Sequence, residues 1–126
     1  MTSKEDLITA VYRSFNARDI DAVLARMHPD VDWPNGMEGG RVRGHDAVRA
    51  YWRRQWTVVD PLVDPMHIED DGSGRTVVEV HQIIRDLSGK ILMDRMVQHI
   101  YSIHDGLITR MDICEPDTDA ISRSSE

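Results

Sequence analysis

Glu79, His81, Asp94 and Gln98 are the residues of this chain whose types and spacing could do chemistry. A histidine titrates near neutral pH, and a carboxylate beside it can orient the ring for general acid–base work. Gln98 can donate a hydrogen bond to a substrate oxygen without any pKa shift. These side chains meet only if the strands that carry them pair in one register, and two turns set it. Asp105-Gly106 lies between runs rich in Ile, Val, Tyr and Met, the signal for a tight hairpin whose central residues need positive φ. Counting outward from His104 and Leu107 sets Ile100 against Met111, Gln98 against Ile113 and Met96 against Glu115. Upstream, a loop from Leu87 to Lys90 sets Ile83 against Asp94, His81 against Met96 and Glu79 against Gln98.

One face then carries Glu79, His81, Asp94, Gln98 and Glu115 among Ile83, Met96, Ile100, Met111 and Ile113. On this reading His81, oriented by Asp94 or Glu79, moves a proton on a small apolar substrate polarised by Gln98. The alternative is that these groups satisfy one another, or that one pair lies on the outer face. The opposite face carries Val97, His99, Tyr101 and Ile103 against Cys114, Asp112, Arg110 and Ile108. There, His99 with Asp112 and Tyr101 with Arg110 read as cross-strand polar pairs suited to an interface rather than to catalysis. A strand pair apolar on both faces is covered on both. One cover is this chain's own helices, and a second subunit could supply the other. A β-bulge would shift the count by one residue and exchange the faces.

The elements that must position this hairpin come first in the chain. Thr2-Ser3-Lys4-Glu5-Asp6 reads as a hydroxyl cap with acids in the first helical turn. Leu7, Ile8, Val11, Tyr12 and Phe15 follow at helical spacing. Asp19 can cap a second helix with Ile20, Val23, Leu24 and Met27 buried, ended by His28-Pro29-Asp30. Val31 to Pro34 is a short extended piece, and Asn35 to Gly44 is a glycine-rich loop. A third helix is expected from His45 to Trp56, a strand around Met66-His67-Ile68, and a long strand from Thr76 to Arg85. Trp33, Trp52 and Trp56 could line an aromatic wall or simply seal the core. Residues 116–126 form a polar tail.

The totals narrow the classes. The chain has 126 residues and a net charge of −7, which fits one domain, 1–126, and argues against nucleic-acid binding. One cysteine, Cys114, excludes an internal disulfide and fits a reducing, cytoplasmic setting. No apolar run approaches a membrane span. Six histidines occur, but without metal-ligand spacing, so no metal is expected.

Helices followed by strands read as α+β, with helices packed on one face of a curved sheet. In this order, three stretches carry a family resemblance: Phe15-Asn16-Ala17-Arg18-Asp19-Ile20-Asp21 running into Met27-His28-Pro29-Asp30-Val31-Asp32-Trp33; Arg43-Gly44-His45-Asp46-Ala47-Val48 leading to Tyr51-Trp52; and Val97-Gln98-His99-Ile100-Tyr101 followed by Asp105-Gly106-Leu107-Ile108 and Met111-Asp112. The chain resembles the NTF2-like superfamily, in its SnoaL-like and ketosteroid-isomerase-like branch. That resemblance implies a cone-shaped fold, with N-terminal helices on a strongly curved, mixed and mainly antiparallel sheet. It implies a pocket for a small apolar or aromatic ligand, no cofactor, and a homodimer through the outer sheet face. Fold does not fix function here. The resemblance is compatible with a cofactor-independent isomerase, lyase or hydrolase, and equally with a non-catalytic binding domain or dimeric scaffold.

Ketosteroid isomerases use a carboxylate base, a tyrosine and a protonated aspartic acid. Carried over without gaps from Asn16-Ala17, the base position falls on Asn35, which cannot accept the proton, so the role is empty unless Asp32 or Glu38 fills it. The tyrosine position falls on Val11, next to Tyr12, and the aspartic acid position on Gln98. The expected catalytic set is therefore His81, Asp94 and Gln98. The expected ligand contacts are Tyr12, Phe15, Trp33, Asn35, Trp52, Glu79, Met96, Met111, Ile113 and Glu115.

Overall fold

A computed structural model describes residues 3–36 and 38–114. Ser3 starts helix α1 (Lys4–Asn16): its hydroxyl accepts from the Asp6 N–H at 3.0 Å, and Glu5 and Asp6 occupy the first turn. The helix buries Leu7, Ile8, Val11 and Tyr12, as the 3.6-residue period requires. Asp19 caps the short α2 (Ile20–Leu24) through Ala22 N–H at 3.2 Å. Strand β1 (Met27–Pro34) begins four residues earlier than the sequence pattern indicates, so His28-Pro29-Asp30 is strand rather than helix end. Inside the glycine-rich segment lies an unexpected short strand, β2 (Arg41–Arg43), followed by α3 (His45–Gln55). Strands β3 (Val59–Asp70), β4 (Thr76–Asp86), β5 (Ile91–His104) and β6 (Leu107–Cys114) complete the chain.

The six strands form one sheet in the order β2-β1-β6-β5-β4-β3. β1 pairs with β6 in parallel, and the other neighbours are antiparallel. The result is an open, mixed, mainly antiparallel α+β cone with the helices on its inner face. β3 runs through Pro61 and Pro65, beyond the short strand expected around His67. It is an edge strand, and an edge tolerates residues that lack an N–H.

The β4–β5 register agrees with the count from the sequence: Glu79 faces Gln98, His81 faces Met96 and Ile83 faces Asp94. The β5–β6 register does not. Asp105 (φ 52°) and Gly106 (φ 77°) make the expected tight turn, and His104 pairs with Leu107. Then Ser102 pairs with Arg110, leaving Thr109 as an extra residue on β6. Beyond this bulge Tyr101 faces Met111, His99 faces Ile113 and Gln98 faces Cys114.

Side chains alternate across a strand. Val78 and Val80 (both 0% exposed) place the even positions of β4 inward, and buried Val97, His99 and Tyr101 place the odd positions of β5 inward. His81, Glu79, Asp94, Met96 and Gln98 therefore lie on the outer face. Met111 joins the inner face from β6, and Ile8, Val31, Val48, Trp52 and Ile108 close the core between helices and sheet.

Candidate active site

A cavity of about 190 Å³ opens between α1, α3 and the inner face of the sheet. Its wall is mostly apolar. Trp33 meets Trp52 edge-on with ring centroids 5.5 Å apart, and Phe15 meets Trp52 at 5.3 Å. Val11, Pro61, Val63, Ile84, Met93, Met111 and Ile113 add aliphatic surface. The polar side chains that reach it are Tyr12, Tyr51, Gln55, Gln82, Arg95, His99 and Tyr101.

Three of these form a buried chain. Tyr101 donates to the Tyr12 oxygen at 2.8 Å, and Tyr12 Oη lies 2.6 Å from His99 Nδ1. Since Tyr12 already accepts from Tyr101, its own hydrogen goes to Nδ1, and the ring proton sits on Nε2. Among the described residues Nε2 has no hydrogen-bond partner, and His99 is part of the cavity wall. Burial disfavours every charged form in this chain. It pushes the His99 pKa down from 6.5 to about 4, so the ring is neutral at physiological pH. It also pushes both tyrosine hydroxyls above their ordinary value, with the Tyr101 neighbour adding to the shift at Tyr12.

Of the residues expected from sequence, Tyr12, Phe15, Trp33, Trp52, Met111 and Ile113 line this cavity. His81 and Asp94 do meet, Nε2 to Oδ1 at 2.6 Å, but on the outer face with side chains 37% and 51% exposed. Glu79, Met96 and Gln98 share that face. The cause is the Thr109 bulge together with the inward direction of Val80 and Val97. Glu115 lies outside the described residues. Asn35 is buried beside the cavity residues Pro34 and Gly36, yet its amide is spent on Glu38: Nδ2 donates to Oε1 at 2.8 Å and Oδ1 accepts from the Glu38 N–H at 2.8 Å.

Neither carboxylate that could replace the missing base reaches the cavity. Arg54 grips both oxygens of Glu38, at 2.8 and 3.0 Å. Those bonds, then the one from Asn35, hold its pKa down to about 2. Asp32 points outward to Arg41 and Arg110. His99 and Tyr101, read from the unbulged count as interface pairs with Asp112 and Arg110, are instead buried in the cavity wall and joined through Tyr12. One sequence signal marks them: placing Met111 and Ile113 with Tyr101 and His99 leaves the charged Arg110 and Asp112 on the same face as Glu79, His81 and Asp94.

The model of the SnoaL-like domain matches residues 8–111. This chain belongs to the SnoaL-like family. Among solved structures, TerC co-crystallised with polyporic acid is 30% identical, with 94% of each chain covered and a TM-score of 0.77. An NTF2-like protein of unknown function from Burkholderia pseudomallei is 25% identical, with 97% of each chain covered and a TM-score of 0.79. A Mycobacterium tuberculosis protein in complex with estradiol-17β-hemisuccinate shares the fold at 20% identity, covering 83% of this chain and 87% of its own, with a TM-score of 0.71. No curated protein matches the sequence. Among the described residues of this SnoaL-like domain, no helix is long and apolar enough to cross a membrane. No group of three or more His, Cys, Asp or Glu side chains there could hold a metal ion.

Proposed function

We propose that this SnoaL-like domain takes a small, largely apolar aromatic or carbonyl metabolite into its cavity and acts on it, without a cofactor, by acid–base chemistry at His99. The observation that carries this reading is the Tyr101–Tyr12–His99 chain, with its terminal N–H set in a mostly apolar wall. An apolar cavity with a few convergent polar groups is the ordinary form of a small-molecule site. Relatives crystallised with small molecules support ligand binding. The buried Gln55 Oε1, unpartnered among the described residues, offers a second point of attachment. Phe15, Trp33, Trp52, Met111 and Ile113 supply the apolar contacts.

Calorimetric titration with 2-naphthol and its oxygen-free isostere 2-methylnaphthalene tests the reading. Both arenes bind, 2-naphthol more tightly, and His99→Leu removes the difference. Equal affinities in the unaltered protein would exclude hydrogen-bonded recognition at His99.

A second reading, a non-catalytic binding domain, is favoured by a specific observation: no Asp or Glu among the described residues lines the cavity. It expects the same titrations but no chemical change in any bound probe. On either reading the outer sheet face is the proposed homodimer surface. Ile83, Met96 and Ile100 lie there beside the His81–Asp94 pair and Leu62, which is 41% exposed. The single cysteine fits a cytoplasmic setting.

A further inference from the structure

The buried chain has two ends in one cavity. His99 and Tyr101 both belong to the wall, and Tyr12 joins them through bonds of 2.6 and 2.8 Å. Its hydrogen bonds can point either way along the chain. In one polarity Tyr101 donates to Tyr12, Tyr12 donates to Nδ1, and Nε2 carries the ring proton. In the other, Nδ1–H donates to Tyr12, Tyr12 donates to Tyr101, the Tyr101 hydrogen turns to the cavity, and Nε2 is a bare base. The second polarity strands the Tyr101 hydrogen unless a ligand or water accepts it, so a ligand carbonyl at Tyr101 favours it.

We propose that Tyr101–Tyr12–His99 is a neutral proton wire that converts a bound ketone to its enol, taking a proton from carbon at one end and returning one to oxygen at the other. The proposal rests on the cavity being a ligand site. The step balances. The substrate C–H proton goes to Nε2, and its electron pair becomes the new C=C bond while the C=O π pair moves to oxygen. The Nδ1 proton passes to Tyr12, the Tyr12 proton to Tyr101, and the Tyr101 proton to the carbonyl oxygen. No imidazolium, phenolate or enolate is formed. That matters in this setting, because burial penalises each of those charges heavily. After turnover the wire has the opposite polarity, and exchange with water at its two ends restores it.

The probe is 2-tetralone, a bicyclic ketone with an acidic C1–H. Wild-type protein in D2O speeds deuterium uptake at C1 on the order of a hundredfold over buffer, the usual scale of positioned acid–base catalysis. His99→Gln and Tyr101→Phe each return the rate to that of buffer. The wild-type rate is flat from pH 6 to 8, since no member of the wire ionises there. Tyr51 and Arg95 are the other titratable groups on the wall.

Nitrogen-15 NMR of labelled histidine gives a second readout in the unaltered protein. His99 carries its proton on Nε2 when free and moves toward the Nδ1–H tautomer with 2-tetralone bound. Full exchange activity in Tyr101→Phe, or an unchanged His99 tautomer in the complex, overturns the wire while leaving the binding reading intact. Failure of both 2-tetralone and 2-naphthol to bind overturns the ligand-site reading and the wire together.

Discussion

The Asn16 carboxamide grips the Val63 peptide with two hydrogen bonds: Nδ2 donates to the carbonyl at 2.7 Å, and Oδ1 accepts from the N–H at 3.0 Å. The last turn of α1 is thereby fastened to edge strand β3 next to the cavity, whose wall includes Val63. Asn16→Ala removes both partners from half-buried backbone groups and costs about 1–3 kcal/mol. Urea unfolding measures the loss. Faster hydrogen exchange at the Val63 amide identifies the place.

Stability has a pH window set by His99. Its folded pKa of about 4 lies below its ordinary 6.5, so the unfolded chain binds the extra proton between those values. Stability is therefore full above pH 6.5 and falls as the pH drops toward 4, by up to about 3 kcal/mol from this group. Thermal midpoints recorded from pH 7 to 4 follow that slope, and His99→Gln flattens it over the upper part of the window. Glu38 and Asp71, held near 2 by their hydrogen-bond partners, add their losses only at lower pH.

Trp52 is 2% exposed and touches Trp33, Phe15 and Trp56. Trp52→Ala leaves a large void and costs about 3–5 kcal/mol. Chemical denaturation checks the figure. A gain in 2-naphthol affinity in the same variant would show that the arene can refill the space.

Deleting Thr109 removes the bulge residue. Arg110 then follows Ile108 directly, Ser102 still meets Arg110 and Tyr101 still meets Met111, so the ladder becomes regular and Met111 and Ile113 keep their inward direction. The expected outcome is cooperative unfolding in circular dichroism with 2-naphthol affinity retained. Loss of arene binding in a folded deletion variant would refute the pairing given to Thr109.

On the outer face, Met96→Glu separates the proposed dimer into monomers in sedimentation velocity. It leaves 2-naphthol affinity unchanged, because Met96 is on the side of β5 away from the cavity. His81→Ala likewise leaves cavity binding untouched, whereas an affinity loss would return His81 and Asp94 to the site.

Much of this architecture was legible because local chemistry decides it. Ser3 and Asp19 announce helix starts, Asp105-Gly106 announces the hairpin, and Asp86 to Lys90 places Ile83 opposite Asp94. The cavity wall was legible in its aromatic half: Tyr12, Phe15, Trp33 and Trp52 are large and mostly apolar, and three of them lie on helices of clear period. The polar half was not. Thr109 looks like any β-branched strand residue, and nothing local marks it as unpaired. An uncorrected count sends His99 and Tyr101 outward and His81, Asp94 and Gln98 inward. Nor does sequence disclose that Glu38 is spent on Arg54, sixteen residues away. β3 was foreseen only around His67, because its two prolines read as breakers until its edge position is known.

Those prolines bear on behaviour at high concentration. A sheet can recruit further chains through an unpaired border, and this one has two. At one border β2 is three residues long; at the other, Pro61 and Pro65 interrupt β3 and a bulge follows Pro65. Neither offers the continuous ladder of amides that fibril growth needs. Crowding this protein should drive it to pair through its broad outer surface and not to polymerise along its rims.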